Sequence, residues 1–330
     1  MDICLAQRLE NFDLAGISHL ESAKNLLGFS AQVDSTCLFF VLLEIGIEFD
    51  IAIVDYQTRA DSTLEIKYAK NLATKYNKKI FVIESPRFEN NFEANARAFR
   101  MDFFKNLIQS QKYENLILAN HLNDRLEWFF MQFAKGGALH SLLGFDAISK
   151  YGDFNIIRPF FNTPKRQILD FLQTNNIKYF IDKSNDDEAH LRNYFRINFT
   201  NLLMERYENG IKKSLNLLKN EYKILYKQSK IQSLNERLYF FAKQENHINL
   251  HNIALCAKKL GYVLSSKQRE EIIKSNYSCV IASKIVIDNN FFDIYVAKND
   301  IQYKHSKKIR ESFRKKGIPP KIRPLIENIL

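Results

Sequence analysis

Four short apolar runs punctuate the first half of the chain: Asn25–Phe29, Phe49–Asp55, Lys79–Glu84 and Asn115–Ala119. Longer amphipathic segments separate them, at Asp34–Ile45, Ser62–Tyr76, Phe92–Gln111 and Asn123–Ala134. Strand-like runs spaced roughly 25–35 residues apart with a helix between each pair describe successive strand–helix–strand units. Short continuous apolar runs suit strands buried on both faces. Right-handed crossovers then assemble them into a parallel sheet with helices on both sides. Ligands of such sheets bind beyond the carboxyl ends of the strands, which is where candidate motifs are sought.

A second block spans Arg158 to about Leu203. Thr163 before Pro164 reads as an N-cap followed by proline at the first helical position. The polar run 182–188 reads as a loop leading into a helix near Ala189. A lysine-rich amphipathic helical stretch is expected from Tyr207 to about Tyr239, then a helix over Leu264–Ser275. Strand-like runs follow at Cys279–Ile287 and Phe291–Val296. The expected architecture is a doubly wound, mainly parallel α/β domain over residues 1–209. A basic region over 210–330 follows, made of a helical segment and a small α+β domain.

Composition excludes several classes. At 46% hydrophobic and 26% charged, the chain is ordinary for a globular protein and too apolar for disorder. Its best apolar run, Cys37–Gly46, is interrupted by Glu44 and falls short of a membrane span. Asp2, Arg8, Glu10 and Asp13 stand where a signal peptide would be apolar. The four cysteines are scattered, which suits reduced thiols and supplies no metal-binding spacing. A cytoplasmic protein without membrane contact is expected; the sequence leaves its assembly open, a homodimer included. Residues 1–200 carry a net charge of −2 and residues 201–330 one of +13, so a polyanionic partner is expected for the second half.

The first strand runs into Ser30-Ala31-Gln32-Val33-Asp34-Ser35 and then into an apolar helix. Free backbone N–H groups and the helix dipole make such a turn an anion site. Ser30 and Ser35 offer hydroxyl donors, and Asp34 offers a carboxylate for Mg²⁺ bridging phosphate oxygens. The residues alone equally fit a plain strand–helix turn capped by Asp34 and Ser35.

Ser-Ala-Gln-Val-Asp-Ser after an apolar strand resembles the Ser-Gly-Gly-x-Asp-Ser pyrophosphate loop of the N-type ATP pyrophosphatases, with Ala31 and Gln32 replacing both glycines. Three further segments resemble tRNA(Ile)-lysidine synthases within that superfamily. They are Val54-Asp55-Tyr56-Gln57-Thr58-Arg59 with Ser62, then Ala119-Asn120-His121-Leu122-Asn123-Asp124-Arg125-Leu126-Glu127, then Arg158-Pro159 with Asp182, Ser184, Asn185, Arg192, Asn193 and Arg196. Lys135-Gly136 and Leu142-Leu143-Gly144 continue the second segment, with Tyr56, Asn120 and Asn123 departing from the family pattern.

The resemblance implies a doubly wound ATP-pyrophosphatase domain. It also implies ligation of free L-lysine to C2 of the wobble cytidine of a CAU isoleucine tRNA, through a base adenylated by ATP with Mg²⁺. It places ATP on Ser30, Ala31, Gln32, Val33, Asp34, Ser35, Asp55, His121 and Gly136, with Asp34 as metal ligand. Asp124 and Glu127, at i and i+3 on one helix face, are expected to grip the lysine amine and take its proton. Arg192 and Arg196 are expected to stabilise charge on phosphate or base. Arg196 and the basic stretch Lys307, Lys308, Arg310, Arg314, Lys315 and Lys316 are expected to bind tRNA. Two other readings compete. Thiolating relatives use paired cysteines or an iron–sulfur cluster, and this chain has no cysteine pair. A non-catalytic tRNA-binding protein with a degenerate nucleotide site fits Ala31, Gln32, Asn120 and Asn123.

Overall fold

The computed structural model describes residues 9, 12–57, 62–181, 187, 190–226 and 230–327. The chain forms two compact units, Met1–Lys219 and Asn220–Leu330. The composition change at Asn209-Gly210 falls inside one long helix, so the division comes later than expected. The first unit carries 27 basic and 27 acidic residues, and the second holds the whole +11 of the chain.

The first unit runs β1 (Asn25–Phe29), α1 (Val33–Glu44), β2 (Phe49–Asp55), α2 (Ser62–Lys75), β3 (Ile80–Glu84), α3 (Phe92–Gln111), β4 (Asn115–Ile117) and α4 (Leu122–Phe133). There follow α5 (Leu139–Leu142), β5 (Ile148–Tyr151), β6 (Phe154–Ile157), α6 (Lys165–Thr174), α7 (Leu191–Phe195) and α8 (Asn201–Leu225). The sheet order is β3-β2-β1-β4-β6-β5, parallel except for the exposed edge strand β5. The β5–β6 hairpin turns on Gly152-Asp153, a two-residue hairpin signal with Gly152 at φ 60° that the strand–helix reading passes over.

Both faces of the sheet are covered, as the apolar runs require. Phe39 and Leu42 of α1, Leu72 of α2 and Ile168 and Leu172 of α6 share one core with Leu27, Ile51 and Ile117. Phe104 and Ile108 of α3 pack with Leu26, Ala52 and Leu116 on the other face. Helix α1 is apolar nearly all round because it lies buried under α6 as well as on the sheet. Phe39 stands edge-on to Phe49 with centroids 5.3 Å apart. Truncating a buried ring of this kind costs about 3–5 kcal/mol. From β1 the order runs to β2 on one side and β4 on the other, so the strand order reverses between β1 and β4. The loops leaving those two strands open a crevice at their carboxyl ends.

The expected cap of α6 shifts by one residue. Pro164 occupies the N-cap position and Lys165 begins the helix, with Asn123 Oδ1 accepting the Lys165 backbone N–H at 3.0 Å. A π-helical turn, Arg196–Thr200, joins α7 to α8. Residues 58–61, 182–186 and 188–189 lie outside the described residues. The expectations on Thr58, Arg59, Asp182, Ser184, Asn185 and the helix start near Ala189 therefore have no structural counterpart, and α7 begins at Leu191.

The second unit contains β7 (Gln232–Asn235), β8 (Leu238–Ala242), α9 (Asn246–Lys259), α10 (Ser266–Lys274), β9 (Cys279–Ile281), β10 (Ile285–Asn289), β11 (Asp293–Lys298) and α11 (Lys307–Lys315). Its antiparallel sheet has the order β7-β8-β11-β10-β9. Ile253 and Ile272 pack on one face, Ile322 and Leu325 on the other. Helix α8 ends at Leu225, so the long helix expected to reach Tyr239 is shorter and gives way to the β7–β8 hairpin. The run Cys279–Ile287 is two strands, because Ala282 and Ser283 turn the chain with φ of 48° and 55°. Among the described residues, no helix is long and apolar enough to cross a membrane.

Candidate active site

The turn after β1 adopts a conformation that explains both glycine replacements. Ala31 sits in the left-handed region with φ 60°, so it holds without glycine the backbone that a glycine favours. That conformation costs a non-glycine residue about 1–2 kcal/mol. Two contacts hold it: the Phe180 N–H donates to the Ala31 carbonyl at 3.0 Å, and Gln32 bridges Phe180 as a strand pair. Gln32 itself, at φ −82°, is ordinary extended backbone and needs no glycine. Ser35 Oγ accepts the Ser30 N–H at 3.1 Å and lies 3.0 Å from Ser30 Oγ, closing the turn. Asp34 lies in the first turn of α1.

The loop after β4 brings the second group of residues to the same crevice. Asp34 Oδ1 is 2.5 Å from Lys165 Nζ and 3.6 Å from His121 Nε2. Asp124 Oδ2 accepts the His121 backbone N–H at 3.0 Å and the Asn120 amide at 3.3 Å. Arg192 Nη2 donates to Asp124 Oδ1, and Arg192 Nε to Glu127 Oε2 at 2.7 Å. Arg196 Nε donates to Glu127 Oε1, also at 2.7 Å. Lys165, Asp34, His121, Asp124, Arg192, Glu127 and Arg196 thus form one continuous chain of alternating charge.

Burial and pairing oppose each other along this chain. Burial raises the Asp34 and Asp124 carboxyls, but His121 overrides it in both, aided by Lys165 at Asp34 and Arg192 at Asp124. Both carboxyls lie below their usual range, Asp124 far below. Burial lowers His121, yet Asp124 and Asp34 hold it above its ordinary value, favouring the imidazolium. Arg192 is half-buried but kept firmly protonated by Asp124 and Glu127.

A cleft of about 1180 Å³ gathers Ser30, Gln32, Val33, Asp34, Ser35, His121, Asp124, Glu127, Arg192 and Arg196 on its walls. Ala31 is fully buried and is not on the lining. Asp55 and Gly136 are not on its lining. Asp55 Oδ1 accepts the Gln57 N–H at 2.9 Å in the turn after β2, and Gly136 lies in the loop after α4. Asp124 and Glu127, expected to grip an amine together, each already accept a guanidinium: Arg192 bonds both, and Arg196 bonds Glu127.

The cleft also holds residues that sequence reasoning passes over. Lys165 begins α6 and meets Asp34; Arg97 and Arg100 line the cleft from α3. Behind the lining, Arg158 of the Arg158-Pro159 match is buried and donates through Nε to Asn120 Oδ1 at 3.3 Å, and burial pulls its guanidinium down to about 10. The signal available for Lys165 is its place just beyond β6, at the carboxyl edge of the sheet. Arg97 and Arg100 have the i, i+3 spacing alone. Asp34 suits magnesium, which takes one or two carboxylates and completes its shell with phosphate oxygens and water. No cluster of three or more potential metal ligands occurs among the described residues, so a cation here would rely on such phosphate oxygens.

The reversal of strand order, the left-handed turn after β1 and the acid at the head of α1 together define a nucleotide-binding domain of the PP-loop class. A family profile described as a PP-loop domain matches residues 4–203. A U34-tRNA thiolase from Methanococcus maripaludis shares this fold, with a TM-score of 0.53 and 16% identity over 69% of this chain and 80% of that one. Proteins named tRNA(Ile)-lysidine synthase are closer in sequence. The one from Helicobacter hepaticus is 38% identical over 98% of this chain and 86% of its own length. Those from Helicobacter pylori and Wolinella succinogenes are 40% and 41% identical over 93% and 92% of this chain, and over 90% and 93% of their own lengths. The chain belongs to the tRNA(Ile)-lysidine synthase family.

Proposed function

We infer that this chain is an ATP-dependent ligase that joins free L-lysine to the wobble cytidine of a CAU isoleucine tRNA in the cytoplasm. The observation that carries the reading is the chain of charges linking the β1 turn to α4 and α7 within one cleft. The turn Ser30–Ser35 offers backbone donors and hydroxyls to the phosphates that leave as pyrophosphate. Asp34 is the residue to hold Mg²⁺, whose contribution would be to neutralise phosphate charge. His121, favouring its imidazolium form, faces the same turn and stabilises negative charge at the phosphate under attack. The cytidine C2 oxygen attacks the α-phosphorus of ATP and pyrophosphate departs. The lysine ε-amine then attacks C2, a proton leaves the nitrogen and AMP departs. Asp124, held ionised by His121 and Arg192, offers negative charge to the incoming lysine ammonium, and Glu127 fixes Arg192 and Arg196 beside the adenylated base.

The reactive cytidine must be splayed from its neighbours to enter the cleft, which costs little in a single-stranded loop. The second unit, with all the net charge, supplies tRNA contacts through Lys307, Lys308, Arg310, Arg314, Lys315 and Lys316, all exposed on or just beyond α11. The reading that the nucleotide site has decayed is disfavoured by Ala31, which preserves the left-handed turn. Mass spectrometry tests the function directly: incubating the tRNA with ATP, Mg²⁺ and lysine should add one lysine less water. An unmodified tRNA beside bound protein would leave only the binding role.

A further inference from the structure

The second unit carries a feature that adenylation does not use. Phe291 and Phe292 form the turn between β10 and β11 and are 86% and 72% exposed. Their rings lie 5.0 Å apart and nearly perpendicular, at 83°. Adjacent phenyl rings left in water mark a contact surface more often than an isolated exposed residue does.

The turn is also tied down. Asn290 Oδ1 accepts the N–H groups of Phe292 and Asp293 at 2.8 and 2.7 Å, and the Lys243 N–H donates to the Phe292 carbonyl at 2.7 Å. Asn290 Nδ2 donates to the Gly317 carbonyl at 2.8 Å. Gly317 follows the exposed Arg314, Lys315 and Lys316 directly, so this bond anchors the two rings to the end of the basic helix.

Flat apolar rings fixed beside a cluster of cations match a partner that presents flat faces and phosphates together. We propose that Phe291 and Phe292 form a base-stacking site for an unpaired nucleotide of the tRNA, with Arg314, Lys315 and Lys316 binding the adjoining phosphates. The perpendicular rings accommodate one base: one ring stacks on its face and the other meets its edge. Every base has such a face, so the site is tolerant of sequence. It reads single-strandedness, because paired bases do not expose their faces. This deepens the reading of the chain as a tRNA-modifying enzyme and rests on it.

The test uses the full-length protein and isoleucine tRNA. Phe291→Ala/Phe292→Ala and Phe291→Leu/Phe292→Leu should each weaken binding about 5- to 150-fold, the range for removing one stacked base. Phe291→Tyr/Phe292→Tyr should keep the affinity. None of these removes a charge, so the salt dependence should keep its slope, whereas Arg314→Gln/Lys315→Gln/Lys316→Gln should flatten it. Unchanged melting temperatures would confirm intact folds. Affinity equal to wild type in the Leu pair overturns stacking. Phosphatidylglycerol vesicles provide the other arm: loss of vesicle binding in the Ala pair with unchanged tRNA affinity makes the rings a membrane contact and overturns the proposal. A wild-type protein that forms lysidine while every variant binds tRNA normally defeats the stacking site alone. A wild type that neither binds tRNA nor forms lysidine defeats the enzyme reading itself.

Discussion

Glu127 is the residue whose removal separates two roles most sharply. It is 1% exposed, and its carboxylate receives Arg192 Nε and Arg196 Nε at 2.7 Å each and Arg196 Nη2 at 3.3 Å. Glu127→Ala leaves two guanidiniums facing each other across an emptied space. Breaking a fully buried pair costs about 3–5 kcal/mol. Arg192 and Arg196 are 33% and 26% exposed, so water screens part of the loss, leaving about 2–4 kcal/mol. For a unit of this size each kcal/mol lowers the melting temperature by about 2–4 °C, which sets the expected drop at roughly 4–15 °C. Glu127→Gln keeps one oxygen acceptor in the same shape and should lose about half as much. Calorimetry reads the first unit's transition, and lysine-dependent AMP formation is measured on the same samples. A Glu127→Ala protein that melts within a degree of wild type while its KM for lysine rises tenfold would refute the positioning role and make Glu127 a lysine ligand.

Four other outcomes follow from the site and the basic helix. Ala31→Gly should leave the KM for ATP near wild type, because the turn already holds its left-handed conformation, and should slightly raise the first unit's melting temperature; a large fall in KM would show that Ala31 hinders the turn when ATP binds. Asp34→Asn should slow AMP formation at least tenfold with tRNA binding retained in filter assays, and equal loss of both would assign Asp34 to folding. Asp124 is held below the usual carboxyl range, so its stabilisation is complete above about pH 4–5 and is lost as the pH falls further. Urea midpoints between pH 7 and 3 should drop less steeply in Asp124→Asn than in wild type. Removing the chain from Lys304 onward is not a clean test of tRNA binding, because Phe313, Ile322 and Leu325 are buried. Replacing Lys307, Lys308, Arg310, Arg314, Lys315 and Lys316 by Gln instead should flatten the log–log salt dependence by about one unit for each phosphate no longer neutralised.

The strand–helix alternation was legible because β1, β2 and β4 are buried on both faces and so read as mostly apolar runs, their buried asparagines Asn25 and Asn115 being paired with each other and with backbone. The nucleotide turn was legible because Asp34 and Ser35 sit at a helix head whose chemistry is local. Lys165 was not: it meets Asp34 only because β6 lies beside β4, a matter of sheet order rather than of neighbouring residues. Occupation of Glu127 by Arg192 and Arg196 was hidden for the same reason, since an i, i+3 pair states which face it occupies and nothing about what lies opposite. In the second unit, Ala282-Ser283 carries no glycine or proline, so its turn between β9 and β10 gave no sign. Asp55 and Gly136 shared a motif with site residues yet serve local turns.

The Phe180 contacts to Ala31 and Gln32 have a consequence during synthesis. The turn Ser30–Ser35 is locked by a partner ~150 residues further along, which a ribosome adding about 5–20 residues per second delivers on the order of ten seconds later. Until then a nascent chain displays the signature Ser30–Ser35 with nothing to hold Ala31 on the disfavoured side of φ. The nucleotide affinity proposed for this turn would thus be acquired late, as a completion step of the whole first unit. A fragment ending before Phe180 would retain the motif without the grip, and a half-made enzyme would not sequester ATP.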